Sequence, residues 1–557
     1  MDNVVNFQQL VARLERECKA SPTAYRVKVI FLALLGYAYI AVLLGVALGG
    51  LLFGLATLLL GHLRMGVQLL IVAGIMSAIV IRAFWVQIPP PKGHRLKPRE
   101  APDLFKLLAR LRKREKGPRI HEIVLTAEFN ASIMQTPRFG LFGGYRNSLL
   151  IGLPLMQGLS PKEFASVLAH EYGHLSHAHG KLGAWVYRVR SIWLRMAGAF
   201  DNSGSWLNRS LLRFFHWYIP YFNAYSFVLA RRQEYEADRA SARLVGARVA
   251  ADALVAADLK GRFMAEQFWP GLYAQADRSA QPGFLPHAAM RNVLRRGAGD
   301  KDNELWLQES LKRTTVHDDT HPSLRSRLKR LGQRARTPQP IEKSAAQRLF
   351  GSRLPKLEAY FDKAWLRKTG YAWTVRHLDV REAEEIVSRY PKGFTPGFDP
   401  KLYAELGLAY YTLGEYTEAL PLLRDAALEL ENSAETAMAA AQIMLAQGNI
   451  DAVRFLELAM SRNRDYICEA TWSAWQFYAK RGDKEQAMRW RNRFRLIATE
   501  TKNRALRAEQ RRLYPQGGSP YPALLSSSSQ RSSNWSSSTS MASSLWLKRG
   551  TSWGRSR

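Results

Sequence analysis

Two long apolar segments near the amino terminus restrict the folds open to this chain more than any other feature. The first covers residues 29–60 without one charged side chain, and the second covers residues 65–81. A helix of about 20 apolar residues crosses the hydrocarbon core of a bilayer, so both segments are long enough, the second near the short end of the range. A cleaved signal peptide fits poorly, because the first segment is too long and is soon followed by another. The sequence therefore predicts two transmembrane helices within residues 29–88, the first either one long tilted helix or a helix kinked near Gly49.

The distribution of basic side chains predicts the orientation of these helices. Residues 1–28 and the segment after residue 88 are rich in Lys and Arg, whereas the connecting loop contains only Arg64. The positive-inside rule places both flanks in the cytoplasm. The net charge of +33 is spread along the chain and often flanks apolar segments, which favours attraction to anionic lipid headgroups over binding of nucleic acid. Membrane lipids are therefore expected partners, and no specific nucleic-acid partner is expected.

The carboxy-terminal part of the chain contains a repeat. Three glycines recur at a spacing of 34 residues, namely Gly414, Gly448 and Gly482. This is the period of tetratricopeptide helix pairs, so residues 400–512 are predicted to form tetratricopeptide-like repeats that bind a protein partner. An ordinary helical bundle is the alternative. Residues 336–399 are predicted to be a helical linker, and the Ser-rich residues 513–557 cannot bury a core and should be disordered.

Three other segments have recognisable patterns. Residues 103–114 predict a basic amphipathic helix, and residues 122–126 and 148–151 predict strands. Residues 212–230 are aromatic and apolar but contain Arg, His, Pro and Asn. That composition leaves three interpretations open for this last segment: a third membrane element, an interfacial helix, or a buried helix.

A zinc-binding motif lies on a predicted helix. The sequence Ser-Pro-Lys-Glu at residues 160–163 combines an N-cap, a first-position proline and a capping box, so a helix should begin near residue 161. His170 and His174 lie one turn apart on one face of this helix, which lets both imidazoles bind one zinc ion. Glu171 is offset by one residue and is positioned to take a proton from a water molecule at the ion. The chain has two cysteines, far apart in sequence, which excludes a thiolate zinc site.

A catalytic zinc site needs a third protein ligand. The candidate is Glu234, and Asp238 lies four residues further on the same helical face, where it can accept a hydrogen bond from a ligand histidine. Glu236 is a rival ligand, although it points to a different side of that helix. His177 and His179 follow the motif at spacings that suit the ligand face less well than His170, so they are expected to support a ligand or to have a structural role.

These motifs resemble the membrane zinc metallopeptidase family that contains HtpX, the CAAX prenyl protease and a mitochondrial inner-membrane stress protease. The resemblance covers residues 25–335, includes the two amino-terminal spans, and rests on three elements: the helix from His170 to His179, the segment Arg232–Asp238, and the segment Thr320–Arg327 with its His-Pro-Ser sequence.

The resemblance implies roles for individual residues. Three residues correspond to the zinc ligands of the family: His170, His174 and Glu234. Glu171 corresponds to the catalytic base, and the His-Pro element gives His321 a role in stabilising the oxyanion. The strand near Asn130 and Ala131 resembles the edge strand of the family, which would bind an extended peptide by backbone pairing.

The expected protein is mainly α-helical, with transmembrane helices, a zincin-type α+β metallopeptidase domain with a small sheet at residues 89–335, and α-helical repeats. Its expected activity is that of a zinc metalloendopeptidase, with one Zn²⁺, acting on protein or peptide substrates in membrane-protein quality control or processing. The expected location is the bacterial inner (cell) membrane, with the catalytic domain in the cytoplasm. The alternative is a catalytically inactive membrane scaffold that binds partners through its repeats.

Overall fold

The computed structural model describes most of the chain, in two compact units. The residues described are 2–84, 91–137, 145–176, 186, 206–313, 322–391, 397, 399–431, 433–483 and 485–494. The first unit lies within Met1–Trp269 and Phe284–Ala364, and the second within Pro270–Gly283 and Trp365–Ser526. Helices dominate both units, and the strands belong to the first. His177, His179 and His321 lie outside the described residues.

Regular elements follow one another in this order. The amino-terminal elements are α1 (Asp2–Ala20), α2 (Pro22–Leu59), α3 (Leu63–Phe84), β1 (His94–Arg95), α4 (Pro102–Glu115), β2 (Glu122–Thr126), β3 (Ala131–Pro137), β4 (Tyr145–Gly152), α5 (Leu153–Gly158) and α6 (Pro161–Ser176). The middle elements are α7 (Trp206–Val245), α8 (Ala247–Phe263), a π-helical turn (Met264–Phe268), α9 (Trp269–Tyr273), a 3₁₀ turn (Ala274–Asp277), α10 (Pro286–Arg296), α11 (Asp300–Lys312), α12 (Leu324–Leu331) and α13 (Ala345–Phe350). The last elements are a 3₁₀ turn (Gly351–Arg353), α14 (Leu354–Ser388), α15 (Pro400–Leu413), α16 (Tyr416–Glu429), α17 (Ala434–Ala446), α18 (Ala452–Arg462), a 3₁₀ turn (Arg464–Tyr466) and α19 (Ile467–Arg481).

Helices α2 and α3 form a closely packed apolar pair. Within the described part of the chain, α2 is the one helix long and apolar enough to cross a membrane, judged by length and composition alone. It continues through Gly49 without a break. The contact with α3 depends on small residues: a Cβ on Gly66 would lie 2.6 Å from Cγ of Leu58 and 2.9 Å from the carbonyl oxygen of Gly54. Small residues at these positions let the backbones of the two helices approach closely.

The long helix α7 joins this amino-terminal region to the rest of the first unit. The middle of this helix contributes Tyr218, Phe222 and Phe227 to an apolar cluster. The same cluster contains Val11, Leu14 and Cys18 of α1 and Tyr25, Val29 and Ala33 of α2. Residues 212–230, whose environment the sequence left open, are therefore packed on one side against α1 and α2, while Trp217 and Tyr221 on this segment are exposed.

A small mixed sheet has the strand order β1-β2-β4-β3. Strand β2 pairs in parallel with β4, and β1 and β3 pair antiparallel with β2 and β4. The predicted strand at residues 122–126 coincides with β2, and that at 148–151 lies within β4. Among the strands that the structure describes, β3 pairs with β4 alone and forms an edge of the sheet.

The main core of the first unit lies between this sheet and the helices α4, α5 and α6. Its fully buried side chains include Leu104, Leu125, Ile151 and Phe164. Residues 345–361, which fall in the predicted linker, contribute a further set of core side chains, namely Ala345, Ala346, Phe350, Leu354, Leu357 and Phe361. The core of the first unit therefore draws on chain beyond residue 335.

In the second unit, helices α15 to α19 follow one another with short turns. Gly414 and Gly482 end two of these helices with φ angles of 85° and 76°. A left-handed residue at this position stops a helix, and glycine adopts that conformation without a Cβ penalty. The regular spacing of the glycines thus marks the end of every second helix, namely α15, α17 and α19.

Candidate metal centre

The predicted capping box starts α6, the helix that carries His170 and His174. The backbone NH of Glu163 donates to Oγ of Ser160 at 3.3 Å, and the backbone NH of Ser160 donates to Oε2 of Glu163 at 2.8 Å. Two otherwise unpaired donors are thereby satisfied at the helix start. From there the helix runs without interruption through residues 170–174.

Helix α6 packs tightly against the second half of α7. A Cβ on Gly173 would lie 3.1 Å from Cα of Ala237 and 3.1 Å from Cβ of Ala240. The space left by Gly173 is therefore filled by the neighbouring helix. One turn away from the motif, the hydroxyls of Ser166 and Ser241 are 2.6 Å apart and link the same two helices in the core.

This packing brings three candidate ligands together. Nε2 of His170 lies 3.2 Å from Nε2 of His174 and 3.6 Å from Oε2 of Glu234. Nε2 of His174 lies 3.3 Å from Oε1 of Glu234. An ion bound tetrahedrally at about 2.0–2.2 Å would separate its ligand atoms by about 3.3–3.6 Å. The three side chains therefore fit a single metal ion with little adjustment.

Asp238 and Arg327 hold His170 in position from the Nδ1 side of its ring, away from the other candidate ligands. Nδ1 of His170 lies 3.0 Å from Oδ1 of Asp238. Nε and Nη2 of Arg327 donate to the two carboxylate oxygens of Asp238 at 2.9 and 2.6 Å. When His170 is neutral, this carboxylate holds its proton on Nδ1, and the lone pair of Nε2 is directed at the other two candidate ligands.

The charges around His170 favour a cation at this position. Burial alone would lower the pKa of His170, but the hydrogen bonds to Asp238 and Glu234 outweigh it and raise the pKa to about 9. Burial alone would raise the pKa of Asp238. The hydrogen bonds from Arg327 and His170 outweigh burial and keep this pKa below its usual value. In the absence of metal the cluster thus holds a proton where a metal ion would supply positive charge.

The other sequence-predicted residues occupy separate places. Glu171 is half-buried on α6, next to His170. The rival ligand Glu236 lies outside the ligand cluster: its Oε1 is 3.2 Å from Nε of Arg232 and 3.6 Å from Nη2 of Arg26.

The predicted peptide-binding segment lies at the start of the edge strand β3. Ala131 is buried and pairs with Ile151 of β4. Asn130 is exposed, with Oδ1 accepting from the NH of Ala131 at 2.8 Å and its carbonyl accepting from the NH of Gly152 at 2.7 Å. Asn130 thus fixes the entry of the chain into the edge strand.

Sequence reasoning did not foresee two contacts that position the site. One is the paired hydrogen bond from Arg327 to Asp238, across 89 residues of sequence. The other joins the hydroxyl of Tyr172 to the carbonyl of Pro118 at 2.6 Å. Neither has a local sequence pattern, because each partner is chosen by the packing of distant elements.

Comparison with known protein families gives a match that covers the metal centre. Residues 142–335 match the sequence model of Peptidase family M48, a range that includes every candidate ligand together with Asp238 and Arg327. No solved structure matches the chain. The sequence match and the ligand cluster together support a metallopeptidase of family M48 within residues 142–335 of this chain.

Proposed function

We propose that this chain is an integral-membrane zinc metalloendopeptidase of the HtpX type that hydrolyses protein substrates in membrane-protein quality control or processing. The observation that carries the proposal is the separation of 3.2–3.6 Å between the ligand atoms of His170, His174 and Glu234. Two imidazoles and one carboxylate are a common ligand set of catalytic zinc, which keeps a fourth position open for water or substrate.

Each residue at the centre has a role in this proposal. A bound zinc ion supplies Lewis-acid polarisation of the substrate carbonyl and lowers the pKa of water. Glu171 takes the proton from the attacking water and delivers it to the leaving amine. Asp238 holds the Nδ1 proton of His170. His321 donates to the carbonyl oxygen as negative charge develops there.

The edge strand β3 is the proposed site for the substrate backbone. An extended peptide can add to an open edge of a sheet through main-chain hydrogen bonds, which select for extended shape more than for sequence. Asn130 and Ala131 begin this edge, and Ala131 anchors it in the core. Such recognition suits an endopeptidase that acts on unfolded segments of proteins.

The amino-terminal helices support attachment to a membrane. Phe31, Leu52 and Leu59 of α2 are 65 %, 61 % and 82 % exposed, and exposed apolar side chains continue along α2 and α3 as far as Ile75. A continuous apolar surface of this kind is unfavourable in water. We therefore assign α2 and α3 to the bilayer, with the basic flanks and the metal centre in the cytoplasm of a bacterium.

The helices of residues 400–512 are proposed to recruit or position a protein partner, in the manner of tetratricopeptide repeats. An inactive scaffold that uses only these helices is not favoured, because a complete set of ligand, base and supporting side chains is present at residues 170, 171, 174, 234 and 238. A vestigial site would be expected to have lost at least one of them.

Replacing Glu171 tests the proposed activity. Purified Glu171→Gln protein should retain one zinc ion per chain but cleave an unfolded protein about 10²–10⁴ times more slowly, since it lacks the proton-transferring carboxylate. Glu304→Gln, an exposed carboxylate on α11, is the matched control and should cleave at the parental rate. Cleavage by Glu171→Gln as fast as by the parent would contradict the assigned mechanism.

The same pair of proteins identifies substrates. Membrane proteins that accumulate in cells with Glu171→Gln but not with Glu304→Gln are candidates for cleavage. If careful purification yields protein without zinc and without activity, the scaffold interpretation replaces the peptidase.

A further inference from the structure

Helix α4 has a cationic outer face. Its inner side buries Leu104, Leu108 and Leu111 in the core. With 3.6 residues per turn, Lys106, Arg110 and Lys113 project from the opposite side. All three are exposed, as are Lys116 and Arg119 just beyond the helix. We call these five side chains the α4 basic face.

The charge of the α4 basic face is largely uncompensated. Asp103 lies 3.6 Å from Lys106, a contact between two exposed groups. Glu115, the other carboxylate of the helix, lies 2.9 Å from Nη2 of Arg243 on α7. Across the described part of the chain, no ion pair involves Arg110, Lys113, Lys116 or Arg119. The face therefore presents a concentrated positive potential to whatever lies outside it.

The α4 basic face follows the apolar helices closely in sequence. Helix α3 ends at Phe84 and α4 begins at Pro102, so 17 residues lie between them. Even fully extended, this connection spans only about 60 Å. The intervening sequence adds Lys92, Arg95, Lys97 and Arg99. Clusters of basic residues next to a membrane helix bind anionic lipid surfaces.

Contacts at the end of α4 connect this face to both ligand-bearing helices. The carbonyl of Pro118 accepts from the hydroxyl of Tyr172 on α6. Glu115 pairs with Arg243, and Arg114 donates to the carbonyl of the same arginine on α7. A surface that binds α4 thereby also fixes the helices that hold His170 and Glu234.

We propose that the α4 basic face binds anionic phospholipid headgroups and holds the metal centre at a fixed height above the membrane. The inference rests on the membrane attachment proposed above. Lipid is favoured over nucleic acid because single-stranded nucleic acid is usually bound with aromatic side chains that stack on bases, and none of the five side chains is aromatic. Binding of lipid by the α4 basic face would also account for part of the net charge of +33.

A fluorophore on α4 tests the proposal in the full-length chain. The exposed Ala109 is replaced by Cys in a Cys468→Ser background, since Cys18 is buried. The labelled protein is reconstituted in zwitterionic vesicles or in vesicles with roughly 30 % anionic lipid, both with a headgroup-attached quencher. We expect stronger quenching in the anionic vesicles and its loss at high salt, because screening weakens exposed charge interactions.

Charge removal gives the decisive comparison. The variant Arg110→Gln/Lys113→Gln/Lys116→Asn/Arg119→Gln should lose the additional quenching seen in anionic vesicles. The ratio of lipid-bound to lipid-free α4 should fall about fivefold for each charge removed. The matched control removes four exposed charges of α14: Lys356→Gln/Lys363→Gln/Arg367→Gln/Lys368→Gln. This control should behave as the parent. Equal quenching in both kinds of vesicle, or in both quadruple variants, would overturn the inference.

A further measurement separates this inference from the proposed activity. In neutral detergent, the α4 variant should cleave a soluble unfolded protein at the parental rate, because its altered residues lie outside the ligand cluster. If the parent itself does not cleave, the proposed activity fails while the quenching still decides the lipid question. A label that responds to single-stranded RNA but not to anionic vesicles would replace the lipid by nucleic acid and end the proposal.

Discussion

At the scale of single residues, the centre depends on a buried chain of hydrogen bonds from Arg327 through Asp238 to His170. The guanidinium of Arg327 donates to both oxygens of Asp238. Because both groups are buried, neither charge is stable there without the other. A carboxylate left in such a place without its cation is strongly destabilised. The arrangement therefore sets both the tautomer of His170 and the charge balance of the centre.

Loss of Arg327 should weaken metal binding. In Arg327→Leu, Asp238 loses its paired donors and no longer holds His170 in position, so zinc affinity should fall about 10–100-fold. Arg327→Lys should recover only part of this loss, because a single ammonium cannot form the paired contact. Competition with a chelator measures both affinities. Unchanged affinity in Arg327→Leu would show that the supporting contact is dispensable.

Metal affinity should rise with pH. The pKa of His170 is raised to about 9 in the metal-free site, so below that pH a metal ion must displace a proton from the cluster. The dissociation constant should increase about tenfold for each pH unit from 9 towards 6.5. Chelator competition across this range checks the slope. A flat profile would contradict the assigned proton.

At the scale of elements, the helix pair α6 and α7 is the unit that forms the site. One helix carries His170 and His174 and the other carries Glu234 and Asp238. Their distance is set by Gly173, against which Ala237 and Ala240 pack. A change in this spacing moves ligands from one helix relative to ligands from the other.

Gly173→Ala should therefore damage both stability and metal binding. The added methyl group meets backbone at 3.1 Å, and overpacking of this kind costs about 1–3 kcal/mol. We expect a lower melting temperature and weaker zinc binding, measured by thermal unfolding and chelator competition. Gly271→Ala is the matched control, because nothing lies within 4 Å of its added Cβ. Equal behaviour of the two variants would refute the close-packing argument.

At the scale of the whole molecule, the first compact unit extends past the segment that carries the site motifs. Phe350, Leu357 and Phe361 are buried in the same core as the sheet and α6. Asp362 accepts hydrogen bonds from the backbone NH groups of His287 and Ala288 at the start of α10. Residues 345–362 are thus structural parts of this unit.

Truncation tests this extent. A chain ending after residue 335 loses three large core side chains, each worth about 3–5 kcal/mol when aromatic, and should be degraded and bind no zinc. A chain ending after residue 391 keeps them and should retain zinc. Limited proteolysis and metal content distinguish the two. A stable, zinc-binding chain that ends at residue 335 would contradict the assignment.

The sequence by itself determined the features that arise within one element. The spacing of His170 and His174 places both on one helical face, the capping residues Ser160 and Glu163 start that helix, and the uncharged segment at 29–60 specifies a long apolar helix. These are local consequences of helical geometry and of side-chain polarity, so they need no knowledge of the rest of the molecule.

Only the tertiary structure decided which distant residues meet. It placed Glu234 rather than Glu236 in the ligand cluster, paired Arg327 with Asp238, and filled the space beside Gly173 with α7. It also drew residues 345–361 into the core instead of leaving them as a linker. The physical reason is the same in each case: such contacts are selected by close packing between elements far apart in sequence, and no local pattern of residues records that packing.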